Sequence, residues 1–379
     1  MFDHIERKWL CPSFLCFWNL SRTGTLTGKL QTIAEDMLHM ANRDILAIGA
    51  SAGGVEALSF LAQNFPRDLP AAVLVTMHLS NEGGSVLDEI LGRSGPLPAA
   101  FANETERVQK GRIYVAPANR HLIVEDDKLV LGHGSRENNA RPAIDPMMRS
   151  AAVCCGPRTV GVVLTGTLSD GASGLWAIDQ CGGITVVQDP SDAEFSGMPT
   201  NALNRLKPDH VVTLAAMPKL LNSLVSQPAG KMLPIPESVK FEVEIARGAS
   251  SSIDEMDRIA GHSGFACPDC HGAMWEIKEG ELVRFRCHVG HTYESDRMSI
   301  ALDKNLRRAL GSALRALEER RSLARRLEKQ SREDNRLRLA SSWASRAEEY
   351  EKELYAIRTS VRSLDELAHR EVNKKVAEQ

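Results

Sequence analysis

The chain has 379 residues, of which 43% are hydrophobic and 25% are charged, and its formal net charge at pH 7 is −3. These values are typical of a globular protein with room for two or three domains. The near balance of charge argues against nucleic acid as the general partner, and no apolar run approaches the ~20 residues of a membrane span. The eight cysteines are not spaced like a secreted disulfide framework, so we expect a cytoplasmic protein without membrane insertion.

Residues 1–41 precede the first regular pattern. An apolar run at 9–18 is interrupted by Pro12, and no small-residue cleavage site follows it, which disfavours a signal peptide. We expect 1–41 to be a disordered extension, or Met37 or Met40 to be the true start.

Residues 42–227 alternate short apolar runs with segments of helical periodicity. This alternation predicts an α/β domain, with a doubly wound and mostly parallel sheet covered by helices on both faces. We expect strands at 44–48, 72–77, 112–116, 160–165, 184–188 and 211–214, and a β-hairpin at 121–124 and 129–131. We expect helices at 53–64, 84–92, 145–154, 171–180, 198–206 and 217–225.

The segment 49–53, Gly-Ala-Ser-Ala-Gly, matches the G-x-S-x-G nucleophile elbow, in which small neighbours let a serine occupy a strained turn between a strand and a helix. The helix that starts there directs free N–H groups towards a nearby oxyanion, so Ala52 and Gly53 are candidate oxyanion donors. A plain tight turn and a phosphate-binding turn are alternatives, although the segment has neither G-x-G-x-x-G spacing nor a Walker lysine.

Polar residues that directly follow parallel strands meet at one edge of the sheet. Ser51 follows the first predicted strand, His78 follows the second, and Asp170 follows the strand at 160–165. A serine needs a base to accept its proton, and the base needs a carboxylate to orient it, so these three types predict a triad. A structural role for a lone histidine is the alternative. Weaker candidates are His121, His133 and His210, while Asp145 and Asp189 could be structural carboxylates.

These motifs resemble those of the chemotaxis receptor protein-glutamate methylesterases, the CheB-type family. The resemblance covers residues 42–227 and rests on the elbow, on the histidine after the second strand, and on Thr-Gly-x-x-x-Asp-Gly-Ala at 165–172. It implies that Ser51 is the nucleophile, His78 the general base and Asp170 the orienting acid. It also implies hydrolysis of glutamyl methyl esters on methyl-accepting chemoreceptors, and deamidation of particular glutamines, without a catalytic cofactor.

The chain departs from the family pattern at three points. Ala52 stands where threonine is common, and Thr167 stands where a methionine beside the substrate is common. Both lie where oxyanion donors and substrate contacts are expected, so Ala52, Gly53 and Thr167 are the candidate oxyanion and substrate-binding residues, and the resemblance leaves the true substrate and the rate undecided. The family's N-terminal receiver domain does not fit in the 43 residues before the first strand. We therefore expect regulation from elsewhere, or none.

Residues 228–262 are rich in proline, glycine and serine, which predicts a linker. Within it, the alternation at 241–245 is compatible with a strand or with an exposed tether. A small zinc knuckle is expected at 263–293, after this linker and separate from the catalytic sheet. Four protein ligands would close the coordination sphere and make the zinc structural. The ligands would be Cys267, Cys270, Cys287 and His291.

Two alternatives accompany the knuckle. If Cys267 and Cys270 instead formed a redox-active C-x-x-C pair, they would need a thioredoxin-like context, which the sequence lacks. The adjacent His288 would have to fold back sharply to replace His291 as a ligand. Longer relatives of the methylesterase that lack the receiver resemble this chain here.

Residues 294–379 contain no proline and one glycine, Gly311, and their apolar residues recur at spacings of three and four. This pattern predicts a helical hairpin or a coiled coil, with self-association or a coiled-coil partner as possible roles. Two alternative functions remain open: a catalytically weak signalling adaptor, and an esterase of a small metabolite. The presence of all three triad types weighs against the adaptor.

Overall fold

The structure is a computed structural model, and it divides the chain into two compact units, Met1–Arg297 and Met298–Gln379. The extension predicted at 1–41 lies outside the residues that the structure describes. The described residues are 42–78, 85–167, 169–249, 252–279 and 282–377.

The first unit contains a seven-stranded sheet whose neighbouring strands are all parallel, which confirms the predicted fold class. Its strands are β1 (Ile45–Ala50), β2 (Ala72–Met77), β3 (Ala99–Phe101), β4 (Ile113–Val115), β7 (Thr159–Val163), β8 (Ile184–Gln188) and β9 (His210–Val212). They are arranged in the order β3-β4-β2-β1-β7-β8-β9. The predicted hairpin is formed by β5 (His121–Glu125) and β6 (Lys128–Gly132). The short edge strand β3 was not predicted.

Helices cover both faces of this sheet. Successive residues of the central strand β1 enter two different cores: Ile45 and Ala47 pack on one side, and Leu46 and Ile48 pack on the other. A strand that is buried on both faces is typical of a doubly wound sheet. The helices are α1 (Gly54–Asn64), α2 (Leu87–Ser94), α3 (Ile144–Cys155), α4 (Ala172–Gln180), α5 (Gly197–Arg205) and α6 (Met217–Val225).

The predicted linker at 228–262 instead contains two helices, α7 (Glu237–Arg247) and α8 (Ile253–Ile259). Val239 and Val243, one helical turn apart, pack into the core beside α3, so the alternation at 241–245 belongs to a helix and not to a strand or a tether. Helix α8 begins with a capping box, in which the side chains of Ser252 and Glu255 accept each other's backbone N–H groups.

An antiparallel sheet of four strands follows α8. Its strands are β10 (Gly261–Ala266), β11 (Ala273–Glu279), β12 (Leu282–Cys287) and β13 (Thr292–Glu294). Strands β11 and β12 form an antiparallel pair, in which Met274 lies opposite Cys287.

A buried cluster of charges joins this small sheet to the catalytic sheet. Arg149 of α3 forms ion pairs with Glu137, which lies after β6, and with Glu242 of α7. Arg284 of β12 pairs with Glu242 at 2.7 Å, and Arg286 of β12 pairs with Glu137 at 3.1 Å. All five side chains are at most 2% exposed. The expectation of a separate knuckle is therefore wrong, because the small sheet shares a buried ion network with the helices of the large one.

The second unit is a helical hairpin, which is one of the two predicted alternatives for the tail. Helix α9 (Ser295–Glu333) leads into this unit, and helix α10 (Leu337–Ala377) returns. Arg321 pairs with Glu351 at 2.5 Å, and Arg358 pairs with Glu318 at 2.7 Å, as expected for antiparallel helices. No helix in the described part of the chain is long and apolar enough to span a membrane.

The ion cluster predicts a large and specific loss of stability on neutralising Glu242. Replacement by glutamine removes one countercharge from the buried guanidinium groups of Arg149 and Arg284, and breaking a buried pair from one side typically costs about 3–5 kcal/mol. We expect Glu242→Gln to lower the free energy of unfolding of the first unit by that amount, measured by urea denaturation. Glu237→Gln, on the exposed start of the same helix, should change it by less than about 0.5 kcal/mol.

The difference in unfolding free energy between wild-type protein and Glu242→Gln should depend on pH. Burial raises the pKa of Glu242, but the three nearby guanidinium groups outweigh it and leave the pKa below its ordinary value of 4.5. A carboxylate with a depressed folded pKa stabilises the fold above its unfolded pKa and loses this effect as the pH falls. Wild-type protein and Glu242→Gln should therefore converge in stability in acid, and a constant difference down to low pH would contradict the assignment.

Candidate active site

Three polar side chains meet at the carboxyl edge of the central strands. Ser51 follows β1, His78 follows its neighbour β2, and Asp170 lies beyond β7 on the other side of β1. The Ser51 Oγ lies 3.1 Å from the His78 Nδ1, and the His78 Nε2 lies 2.7 Å from the Asp170 Oδ2. This arrangement lets His78 accept a proton from Ser51 while it donates its other N–H to Asp170.

The turn that carries Ser51 depends on close packing around small residues. Gly53 has φ +70°, in the left-handed region that favours glycine, and it caps the start of α1. A Cβ atom on Gly166 would lie 2.8 Å from the Cβ of Ser51, so any side chain there would collide with the nucleophile. The Ser51 N–H donates to the Thr165 carbonyl at 3.0 Å, and the Thr165 hydroxyl donates to the Ala52 carbonyl at 3.0 Å. The elbow is thus fixed to the end of β7.

Asp170 is buried at the N-terminus of α3. Its Oδ2 accepts the Ile144 N–H at 2.8 Å, and its Oδ1 accepts the Asp145 N–H at 3.2 Å. Burial raises the pKa of Asp170, but the hydrogen bond and charge of His78 and the two N–H groups outweigh it and leave the pKa below its ordinary value. The carboxylate therefore stays ionised and can hold His78 in one orientation.

Asp145, one of the possible structural carboxylates, lies beside Asp170. Its Oδ1 accepts the N–H groups of Gly171 at 3.0 Å and Gly174 at 2.7 Å, at the start of α4. Burial, and then the charge of Asp170, raise the pKa of Asp145 well above its ordinary value. Its contacts are those of a residue that positions the segment after Asp170. The weaker histidine candidate His121 is buried, donates its Nε2–H to the Ser135 carbonyl at 2.9 Å, and does not join the three.

The candidate oxyanion and substrate residues lie around Ser51. The backbone N–H groups of Ala52 and Gly53 donate no hydrogen bond to a described residue, so both are available for an oxyanion. Thr167 is exposed in the loop between β7 and α4. The side chain of Met198, at the start of α5, packs so closely against Gly166 that a side chain at position 166 would collide with its Sδ atom.

A cavity of about 200 Å³ adjoins His78. Its walls include three arginines, of which Arg136 and Arg141 follow the β5–β6 hairpin and Arg297 lies in the first turn of α9. Sequence reasoning missed all three, because they lie outside every catalytic motif and Arg297 belongs to the segment that was predicted as tail.

The four predicted metal ligands lie together. The ligand atoms of Cys267, Cys270, Cys287 and His291 are all within 4.8 Å of one another. The Cys270 and Cys287 Sγ atoms are 3.7 Å apart, and the Cys287 Sγ lies 3.5 Å from the His291 Nδ1. Three thiols and one imidazole in such a group match the donor set of a closed structural zinc site.

Known proteins resemble the part of the chain that contains the seven-stranded sheet. A family model described as CheB methylesterase matches residues 46–221. A putative protein-glutamate methylesterase/protein-glutamine glutaminase of Leptospira interrogans is 34% identical over 180 residues, which cover 47% of this chain and 93% of the relative. Protein-glutamate methylesterase/protein-glutamine glutaminase 2 of Methanosarcina mazei is 34% identical over 183 residues, or 46% of this chain and 50% of the relative.

The chain thus spans about half the length of the Methanosarcina relative and nearly all of the Leptospira one. Among solved structures, the catalytic domain of the CheB methylesterase of Thermotoga maritima is 29% identical, with a TM-score of 0.47, over 49% of this chain and all of that domain. The match at 46–221 includes Ser51, His78 and Asp170. Because the Leptospira relative is matched along almost its whole length, the chain belongs to the CheB methylesterase family.

Proposed function

We propose that the protein hydrolyses the methyl esters of glutamate residues on a methyl-accepting chemoreceptor. The observation that carries the proposal is the unbroken chain of contacts from Ser51 to Asp170, at 3.1 and 2.7 Å. Membership of the family and the printed names of the relatives supply the substrate class. The same site would deamidate glutamine, since only the leaving group differs.

The reaction would proceed through an acyl-enzyme. Ser51 Oγ attacks the ester carbonyl while His78 Nδ1 accepts its proton, and Asp170 stabilises the imidazolium that forms. The N–H groups of Ala52 and Gly53 would stabilise the oxyanion. His78 then returns the proton to the departing methoxide, methanol leaves, and a water molecule activated by His78 releases the glutamate.

No cofactor takes part in these steps. We propose a reducing, cytoplasmic setting for the reaction, because the cysteines of the chain are not spaced like a secreted disulfide framework. A cytoplasmic chemoreceptor domain is therefore the substrate that we propose.

The nucleophile can be tested by replacing Ser51 with alanine. Loss of a triad nucleophile typically reduces kcat by a factor on the order of 10⁴ or more, and the smaller side chain leaves the turn unhindered. We expect methanol release from methylated receptor membranes to become undetectable in Ser51→Ala, while Ser226→Ala, at an exposed site on the end of α6, retains wild-type release. Substantial turnover by Ser51→Ala would remove the triad from the mechanism.

The orienting acid can be tested with a matched pair of aspartates that both follow strands. Asp170→Asn keeps one carbonyl acceptor at this position but removes the charge that holds His78, so we expect kcat to fall by a factor on the order of 10³–10⁴. Asp189→Asn, whose carboxylate binds Ser191 on the surface, should retain activity within about twofold. Because the pKa of Asp170 is depressed, its own protonation should not contribute to the acid limb of the wild-type pH profile. Equal activity of the two variants would contradict the proposal.

We also propose that the cluster of three cysteines and His291 binds one structural zinc ion. Its support is the common distance limit of 4.8 Å among the four donor atoms, together with the donor chemistry. The zinc would hold the connections between strands β10–β13, and it would take no part in ester hydrolysis.

Two neighbouring histidines make a matched test of this site. His291→Ala removes a proposed ligand, whereas His288→Ala removes the adjacent imidazole that lies outside the cluster. We expect elemental analysis to find about one zinc per chain in wild type and in His288→Ala, and clearly less in His291→Ala. Because β12 contributes two arginines to the buried ion cluster, His291→Ala should also lower the melting temperature of the catalytic sheet. A wild-type protein without bound metal would refute the proposal.

A further inference from the structure

The cavity beside His78 carries more positive charge than ester hydrolysis needs. A glutamyl methyl ester is neutral, and the oxyanion of the reaction is served by N–H groups at the elbow. The cavity nevertheless has three guanidinium groups in its walls, those of Arg136, Arg141 and Arg297, together with Asn138. Such a set is typical of a site for an anion.

Of the three arginines in the cavity, Arg297 has the hydrogen-bonding groups that are least satisfied within the protein. It makes no ion pair with a described residue, and its Nε is buried without a hydrogen-bond partner. Burial lowers the pKa of Arg297, and the charges of Asp170 and Glu294 only partly offset this effect. Glu294 is already paired with Arg205 at 3.0 Å. A buried donor of this kind is costly unless a ligand binds it.

The other two arginines, Arg136 and Arg141, add charge to the same cavity. Arg141 is held rigidly, because its side chain donates to the Asn119 Oδ1 at 2.8 Å and to the Gly134 carbonyl at 2.8 Å. The pKa of Arg141 is lowered first by burial and then by repulsion from Arg136 and Arg120, so its charge is not compensated locally. Arg136 is exposed and forms no ion pair with the part of the chain described here.

The small sheet keeps this wall in place. The Asn138 N–H donates to the Thr292 carbonyl at 3.0 Å, and the Asn138 Oδ1 accepts the Glu294 N–H at 3.3 Å. Glu137, the residue before Asn138, is fixed by Arg149 and Arg286. The cavity is therefore formed before a ligand arrives, which reduces the entropic cost of binding.

We infer that this cavity is a subsite for a carboxylate of the protein substrate, the side chain of a glutamate or aspartate close to the esterified glutamate. The inference rests on the proposed methylesterase function, and it adds a charge requirement to the substrate. A guanidinium group binds a carboxylate through paired hydrogen bonds, and each such charged hydrogen bond is strong enough to raise affinity about tenfold. A carboxylate produced by the reaction itself is a second source of the same chemistry, and the test must separate the two.

The test uses three synthetic peptides of otherwise identical sequence. The first carries a glutamate methyl ester and a neighbouring glutamate, the second has glutamine as the neighbour, and the third has free glutamate at the reacting position with glutamine as the neighbour. The neighbour is placed two, three or four residues away on either side, the positions that share a face with the reacting residue in extended and in helical peptides. Binding to the full-length Ser51→Ala protein is measured by calorimetry, so that no ester is consumed.

We expect the first peptide to bind about tenfold more tightly than the other two for at least one placement. Arg297→Gln should remove this preference, and Arg136→Gln, whose exposed side chain is not needed for folding, should reduce it. Arg67→Gln, an exposed arginine outside the cavity, should leave the preference unchanged. High salt should weaken the preference, since it screens charges.

Three outcomes would overturn the subsite. They are equal binding of the first two peptides at every placement, a preference that survives Arg297→Gln, and an Arg297-dependent preference for the third peptide, which would assign the cavity to the reaction product. Methanol release from the ester peptides by wild-type protein tests the proposed function separately. Equal release from the first two peptides would contradict the subsite and support the methylesterase function. A charge preference in binding without any methanol release would support an anion site in the cavity and contradict the methylesterase function.

Discussion

The carboxylate of Asp170 at the N-terminus of α3 is the interaction on which the site depends most. A buried carboxylate is costly unless it is ionised against donors, and here the donors are two helix N–H groups and His78. The same contacts thus stabilise the start of a buried helix and orient the general base. Asp145, in the first turn of that helix, reaches in turn to the start of α4. The triad and the packing of α3 against α4 therefore depend on the same hydrogen bonds.

Helix α3 also carries the charge that integrates the small sheet. Arg149, one turn beyond Asp145, is enclosed by Glu137 and Glu242, and these bind the two arginines of β12. Buried ion pairs add little net stability compared with apolar packing, but they tolerate very few alternative arrangements. The cluster therefore sets the position of β12 and β13 on the catalytic sheet. Through Thr292 it also sets the wall of the cavity beside His78.

Sequence reasoning succeeded where the signal was local and failed where it was tertiary. Long apolar strands and the residues that follow them were predictable, and Ser51, His78 and Asp170 come together because parallel strands end at one edge. Strand β3 was missed, since three half-buried residues that follow Pro98 carry no period. Helix α7 was missed because charged residues alternate with apolar ones along it, and Glu242 is buried only by virtue of arginines that are distant in the chain. Arg297 could not be associated with the site for the same reason.

The position of the charge cluster changes where this protein can be divided. The family match ends at residue 221, and an excised fragment with that boundary would retain Arg149 but lose Glu242, Arg284 and Arg286. The fragment would expose the apolar face that α7 covers, and it would leave the Arg149–Glu137 pair in a partly exposed core. In this chain the segment that matches the family is smaller than the unit of folding. Truncations, chimeras and domain exchanges that respect the protein's own structure should therefore keep the chain intact at least through Arg297.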